Sequence, residues 1–126
     1  MSSHHNSIIN SQTYNNGEAG IYLYLASNYN VINNDQSYNN SGYGIWFANG
    51  SHNNAMNNFQ SYNNSVGVFA DLTTSSNIIN RAMLYNNSSY GLYFKNSSGN
   101  ILNDLSIYHN TVGIHSAFNS ANNTFL

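Results

Sequence analysis

The chain has 126 residues, of which 40% are hydrophobic and 14% aromatic but only 5% charged, and its formal net charge is −2. That balance leaves no basic surface to neutralise phosphates and no run of eighteen apolar residues to span a bilayer, so neither nucleic acid binding nor direct membrane insertion is expected. With no Cys there is neither a disulfide framework nor a thiolate metal site, and the length predicts one domain over residues 1–126.

Met1 to Asn10 lacks the basic start and continuous apolar segment of a secretory signal. From Asn6 onward the chain repeats. An Asn followed two residues later by a bulky apolar residue occurs at Asn6, Asn30, Asn54, Asn77, Asn100 and Asn123, with spacings of 24, 24, 23, 23 and 23. Eight residues after each of the first five comes Tyr14, Tyr38, Tyr62, Tyr85 or Tyr108, followed by Asn-Asn, or by His109-Asn110 in the fifth copy. A third element opens with Gly: Gly20-Ile21-Tyr22-Leu23, Gly44-Ile45-Trp46-Phe47, Gly67-Val68-Phe69-Ala70, Gly91-Leu92-Tyr93-Phe94 and Gly113-Ile114-His115-Ser116.

Each copy therefore carries three short period-two segments, separated by Asn, Ser and Gly, which accept left-handed and tight-turn backbone. Three strands and three turns make one coil of 23–24 residues. No segment has apolar residues at helical spacing, and neither a six-residue period nor a Gly-Gly-x-Gly-x-Asp calcium repeat is present. The prediction is an all-β, triangular parallel β-helix of about five coils.

Coils stacked ~4.8 Å apart turn alignment columns into ladders in space. Ile8, Ile32, Met56, Ile79, Leu102 and Phe125 form one inward ladder. Ile21, Ile45, Val68, Leu92 and Ile114 form a second, with Leu23, Phe47, Ala70, Phe94 and Ser116 beside it. The repeated Asn is expected to bond to its neighbours along the stack and to turn backbone.

The combination Asn-x-Ile-x-Asn, Tyr-Asn-Asn, Gly-Ile-x-Phe and Ser-Ser-x-Asn, running from Asn6 to Leu126, resembles the right-handed parallel β-helix repeats of NosD-type proteins and of the carbohydrate-binding and sugar-hydrolysis group. The resemblance implies a right-handed coil. For enzymatic members it would further imply clustered acidic residues, with a Lys or Arg in some lyases. Arg81 and Asp104 fall in one column, as do Lys95 and Asp71, so two cross-strand ion pairs are expected to absorb four of the six charges. Glu18 and Asp35 remain on different sides of different coils, which offers no carboxylate pair for acid and base roles at a glycosidic bond. The chain is therefore expected not to be an enzyme. The resemblance also raises copper, but His4 and His52 lie two coils apart, His109 and His115 lie on different strands, and Met56 is assigned to the core, so no metal or other cofactor is expected.

Alternation directs Tyr22, Trp46, Phe69, Tyr93 and His115 outward, and Tyr14, Tyr38, Tyr62, Tyr85 and Tyr108 outward on the next face. The second orientation rests on Leu84 and Ile107, because earlier coils have Thr13, Ser37 and Ser61 at that position. Such stripes either stabilise the sheets by cross-strand stacking or offer sugar rings a platform. The expected function is a non-catalytic structural or adhesive solenoid, extracellular or at a cell surface. A glycan-binding module using those tyrosines, Trp46 and Phe69 is the alternative, and a fragment of a polysaccharide lyase, hydrolase or epimerase is a third reading. Thr73, Thr74, Thr111 and Thr124 form no flat array for ice, and the Asn-x-Ser/Thr sequons follow from composition. With Ile8 and Phe125 in the outermost coils and no helical or charged cap, the expected partners are further coils of a longer solenoid or a second copy stacked end to end, and possible polysaccharide.

Overall fold

The computed structural model describes residues 3–126. Its strands run coil by coil: β1 (Ser7–Ile9), β2 (Gln12–Tyr14) and β3 (Ala19–Leu23); β4 (Val31–Asn33), β5 (Gln36–Tyr38) and β6 (Tyr43–Phe47); β7 (Ala55–Asn57), β8 (Gln60–Tyr62) and β9 (Val66–Ala70); β10 (Ile78–Asn80), β11 (Met83–Tyr85) and β12 (Tyr90–Lys95); β13 (Ile101–Asn103), β14 (Ser106–Tyr108) and β15 (Val112–Ala117); and finally β16 (Thr124–Phe125). Every third strand pairs in parallel. Sheet A is β1-β4-β7-β10-β13-β16, sheet B is β2-β5-β8-β11-β14 and sheet C is β3-β6-β9-β12-β15. The registers match the sequence columns, with Ile8 opposite Ile32, Tyr14 opposite Tyr38 and Tyr22 opposite Trp46.

Asn serves two separate purposes in this fold. Half of the non-glycine residues with left-handed backbone are Asn, and they recur at the turns: Asn10, Asn34 and Asn58 after the sheet A strands, with Arg81 and Asp104 continuing the column, and Asn15, Asn39, Asn63 and Asn86 after the sheet B strands. Most L-residues pay roughly 1–2 kcal/mol for this conformation, whereas the short Asn side chain bonds locally and tolerates it.

The second set of amides lines the corners and is buried in the inner coils, at Asn30, Asn54, Asn77 and Asn100 and at Asn40, Asn64 and Asn87. Asn6, Asn30, Asn54, Asn77, Asn100 and Asn123 form one file in which each Nδ2 donates to the next Oδ1 at 2.9–3.2 Å. The same Oδ1 also accepts the preceding coil's backbone N–H. A parallel file runs Asn16, Asn40, Asn64, Asn87, Asn110 at 2.8–3.3 Å. Ser27, Ser51, Thr74, Ser97 and Ser120 line the third corner, where Ser27 N–H donates to Ser51 Oγ, the hydroxyls of Thr74 and Ser97 pair, and Ser97 N–H donates to Ser120 Oγ. Asp35, also buried, accepts the N–H groups of Ser11 and Asn33. Among the described residues no buried side-chain polar atom lacks a partner. The polar corners thus avoid the cost of unpaired buried groups.

Between these corners lie Ile32, Met56, Ile79 and Leu102 from sheet A, and Ile45, Val68, Leu92, Phe47 and Phe94 from sheet C, all essentially inaccessible. The inward side of sheet B begins polar. Ser37 and Ser61 are fully buried because each hydroxyl donates to a carbonyl across the coil, of Gly44 at 2.7 Å and Gly67 at 2.9 Å. Leu84 and Ile107 continue that file, which settles the outward direction of the tyrosines beside them. Gly44 is required by the close approach of the next coil, since a Cβ there would collide with the Ser61 hydroxyl and the Gly67 carbonyl. Toward the ends the core thins: Ile8 is half-buried, and Ile114 and Phe125 are 44% and 48% exposed.

Candidate functional site on the outer face of sheet C

The two aromatic stripes differ in kind. On sheet B, Tyr14, Tyr38, Tyr62, Tyr85 and Tyr108 stack at 4.9–5.1 Å with planes within 9° of parallel. Each interior ring has both faces against its neighbours and presents only edge and hydroxyl to solvent. Burial, followed by adjacent phenols, raises the Tyr62 and Tyr85 pKa values above 10.0. This ladder is an internally saturated stabilising device.

Sheet C is irregular. Its middle outward column is Tyr22, Trp46, Phe69, Tyr93 and His115. Tyr22 and Trp46 stack at 4.4 Å, but the angles open to 30°, 35° and 60° along the column. The column before it alternates small and large: Ala19, Tyr43, Val66, Tyr90, Val112. Each Tyr leans over the small residue of the next coil, so Tyr43 stacks on Phe69 at 4.9 Å and Tyr90 on His115 at 5.1 Å. Phe69 is consequently outward-facing yet only 6% exposed, and offers no free ring to a ligand.

The column after it is Tyr24, Ala48, Asp71, Lys95, Ala117. Buried Ala48, with only a methyl group, leaves room for the Trp46 indole to cross to the next coil, where its Nε1–H donates to Asp71 Oδ1 at 2.9 Å. Burial raises the Asp71 pKa above its ordinary 3.8, while the indole hydrogen bond and then Lys95 oppose that rise. Glu18 lies at the rim. It raises the pKa values of Tyr22 and Tyr43 together with Asp71, after burial and, for Tyr22, Tyr24. Asp71, the Trp46 indole and the Tyr22 and Tyr43 phenols thus share one neighbourhood.

That arrangement corrects the expected charge pairing. Asp71 and Lys95 do not close an ion pair: the carboxylate is held by Trp46, and the Lys95 ammonium lies over the Phe118 ring, 5.3 Å from its centroid. Arg81 and Asp104 are both left-handed turn residues lining a groove of about 270 Å³ with Asn58, Gln60 and Met83. A larger groove, about 490 Å³, begins at Leu72 directly after Asp71 and is walled by Thr73, Ser75, Asn96, Ser98 and Asn119. The histidines lie apart: the His52 ring pairs with the Ser75 hydroxyl, His5 stacks on Tyr29, and His109 meets Tyr108 edge-on. Among the described residues no three His, Cys, Asp or Glu side chains gather.

The sequence reading names Tyr22, Trp46, Phe69 and Tyr93 but misses Tyr24, Tyr43, Tyr90 and the Trp46–Asp71 contact. A signal for two of them exists, since the residue before each Gly alternates Ala, Tyr, Val, Tyr, Val along the coils.

Two solved structures share the architecture closely. The A-module of the mannuronan C-5 epimerase AlgE4 from Azotobacter vinelandii matches over 97% of this chain with a TM-score of 0.88 and 23% identity. A mutant of the periplasmic alginate epimerase AlgG matches over 92% with a TM-score of 0.84 and 21% identity. The chain spans only 34% and 28% of those two chains. At such identity the likeness establishes the fold alone. No curated protein sequence matches. The model of the right handed beta helix region matches residues 1–126, and the chain belongs to that family.

Proposed function

We propose that this chain is a structural, adhesive segment of an extracellular β-solenoid that contacts polysaccharide through the outer face of sheet C. One observation carries the reading. The sheet C face combines rings fanned by 30–60°, with Tyr22 exposed at its end, a carboxylate fixed beside them and a hydroxyl- and amide-lined groove. Aromatic rings with adjacent polar acceptors suit a ligand that is apolar on its ring face and hydroxylated at its edge. The neighbouring structures, both from polysaccharide-modifying enzymes by name, agree with a carbohydrate surface.

The test is retention on immobilised polysaccharides. Trp46→Ala should lose retention while its far-ultraviolet circular dichroism matches the parent, and Tyr38→Phe, on the saturated ladder, should be retained like the parent. Failure of the parent to be retained on any polysaccharide removes the proposal.

A second reading has its own support. Asp71 and the outward tyrosines Tyr22, Tyr43 and Tyr93 lie on one sheet of a scaffold shared with two epimerases, so an epimerase fragment is the alternative. Inversion at C-5 of polymannuronate by the isolated chain, followed by proton NMR, would replace the adhesive reading.

A further inference from the structure

We propose that Asp71 sets the ligand class of the sheet C face: it accepts hydroxyls of a neutral pyranose chain lying against Tyr22 and Trp46 and excludes polyuronates. This rests on the carbohydrate-binding reading above.

The argument begins with what Asp71 is placed to do. A carboxylate is acceptor-only, with two oxygens and about four lone-pair directions. The Trp46 indole takes one of those directions, at Oδ1. Asp71 is 7% exposed, and Oδ2, which that bond does not use, is the oxygen left for an outside donor; a sugar edge with adjacent hydroxyls supplies donors in the spacing a carboxylate accepts. Because the same carboxylate fixes the indole, the stacking surface and the acceptor hold a set relation to each other, the arrangement that lowers the ordering cost of binding. Ala48 is part of the device, since a longer side chain there would block the indole from crossing between coils.

Charge then decides which sugars fit. Asp71 brings a carboxylate to the edge of the stacked Tyr22 and Trp46 rings, so the face carries negative charge where the ligand would lie. The nearby cation, Lys95, is drawn over Phe118 and acts on Asp71, and the whole chain has only two Lys plus Arg. A polyuronate brings one carboxylate per residue and would meet like charge with no Arg fork to receive it. A neutral hexosan meets no such repulsion. The specificity inferred here therefore differs from that named in the titles of the two structural neighbours.

The chain's one Trp is in the site, so its fluorescence reports occupancy directly. The experiment titrates parent and Asp71→Asn with cellohexaose, mannohexaose and a mannuronate hexamer, following Trp46 emission and confirming by calorimetry. Asn keeps an oxygen for the indole but replaces the second acceptor with a donor. The expected result is that a neutral hexasaccharide binds the parent, that Asp71→Asn weakens it about tenfold or more with an unchanged ligand-free emission spectrum, and that the mannuronate hexamer does not bind the parent. Equal neutral-sugar affinity of parent and Asp71→Asn, or parent affinity for the mannuronate hexamer matching the neutral ones, overturns the Asp71 assignment while leaving the face as a carbohydrate surface. Absence of binding by all three sugars to the parent overturns both.

Discussion

At the scale of single residues, Asp71 shows how a position can serve a surface and tax the fold. Its carboxyl is raised above 3.8 because burial outweighs both the Trp46 hydrogen bond and Lys95. A carboxyl with a higher pKa folded than unfolded binds its proton more tightly in the native state. Stability therefore rises as pH falls through the folded value towards 3.8, and is lost as pH rises past it. Asp71→Asn removes the charged form and keeps an acceptor for the indole. The variant should melt higher than the parent at pH 7, and the gap should narrow steadily on acidification to about pH 4, as measured by thermal scans across that range. A variant that melts lower at pH 7, with a gap indifferent to pH, would show that the charge–indole bond stabilises the coil outright.

At the scale of elements, the contrast between turn amides and file amides decides which Asn matter. Asn54 accepts from Asn30 N–H and Nδ2, and donates to Asn77 Oδ1 and Ser27 O, all inside the stack. Asn54→Ala strips these partners at once, and at about 1–3 kcal/mol for each buried group left unpaired it should cost at least 3 kcal/mol. Asn34→Ala keeps the core intact and loses the left-handed preference of one turn, roughly 1–2 kcal/mol, together with a solvent-exposed hydrogen bond from Asn58 Nδ2. Urea midpoints compared at constant slope would check the ranking, and equal losses would refute it. The same contrast explains what could be read in advance. The amide file from Asn6 to Asn123, the sheet registers and the core columns were legible because each repeats in register through every coil, and a column that recurs becomes a ladder with one possible geometry. Sheet B orientation was harder, because Ser37 and Ser61 look like surface residues until their hydroxyls are seen reaching Gly44 and Gly67. The sheet C site was only half legible. Its defining contacts, Trp46 to Asp71 and Tyr43 to Phe69, run diagonally between columns and depend on Ala48 and Val66 being small, so a reading that follows each column separately passes over them.

At the scale of the whole molecule, the stack is one-dimensional: each strand pairs only with its equivalents one coil before and after, so coil stability is shared between nearest neighbours. A lesion in a central coil removes two interfaces, whereas the same lesion in an outer coil removes one that is already partly solvated. Ile79 is 1% exposed between Met56 and Leu102, and Ile114, in the inward file of sheet C, is 44% exposed. Burying an unpaired carboxylate costs several kcal/mol, comparable with the total stability of a small domain. Ile79→Asp should therefore abolish cooperative unfolding, seen as loss of the β-type circular dichroism at 25 °C. Ile114→Asp, where water already reaches the side chain, should leave a folded protein with a lowered midpoint. Asn49→Asp supplies the surface control, because Asn49 is an exposed left-handed turn residue and Asp tolerates that backbone. If Ile79→Asp melted within a degree or two of Asn49→Asp, the assignment of that sheet A file to the core would be wrong. If Ile114→Asp were as destructive as Ile79→Asp, cooperativity would extend through the whole solenoid rather than between adjacent coils.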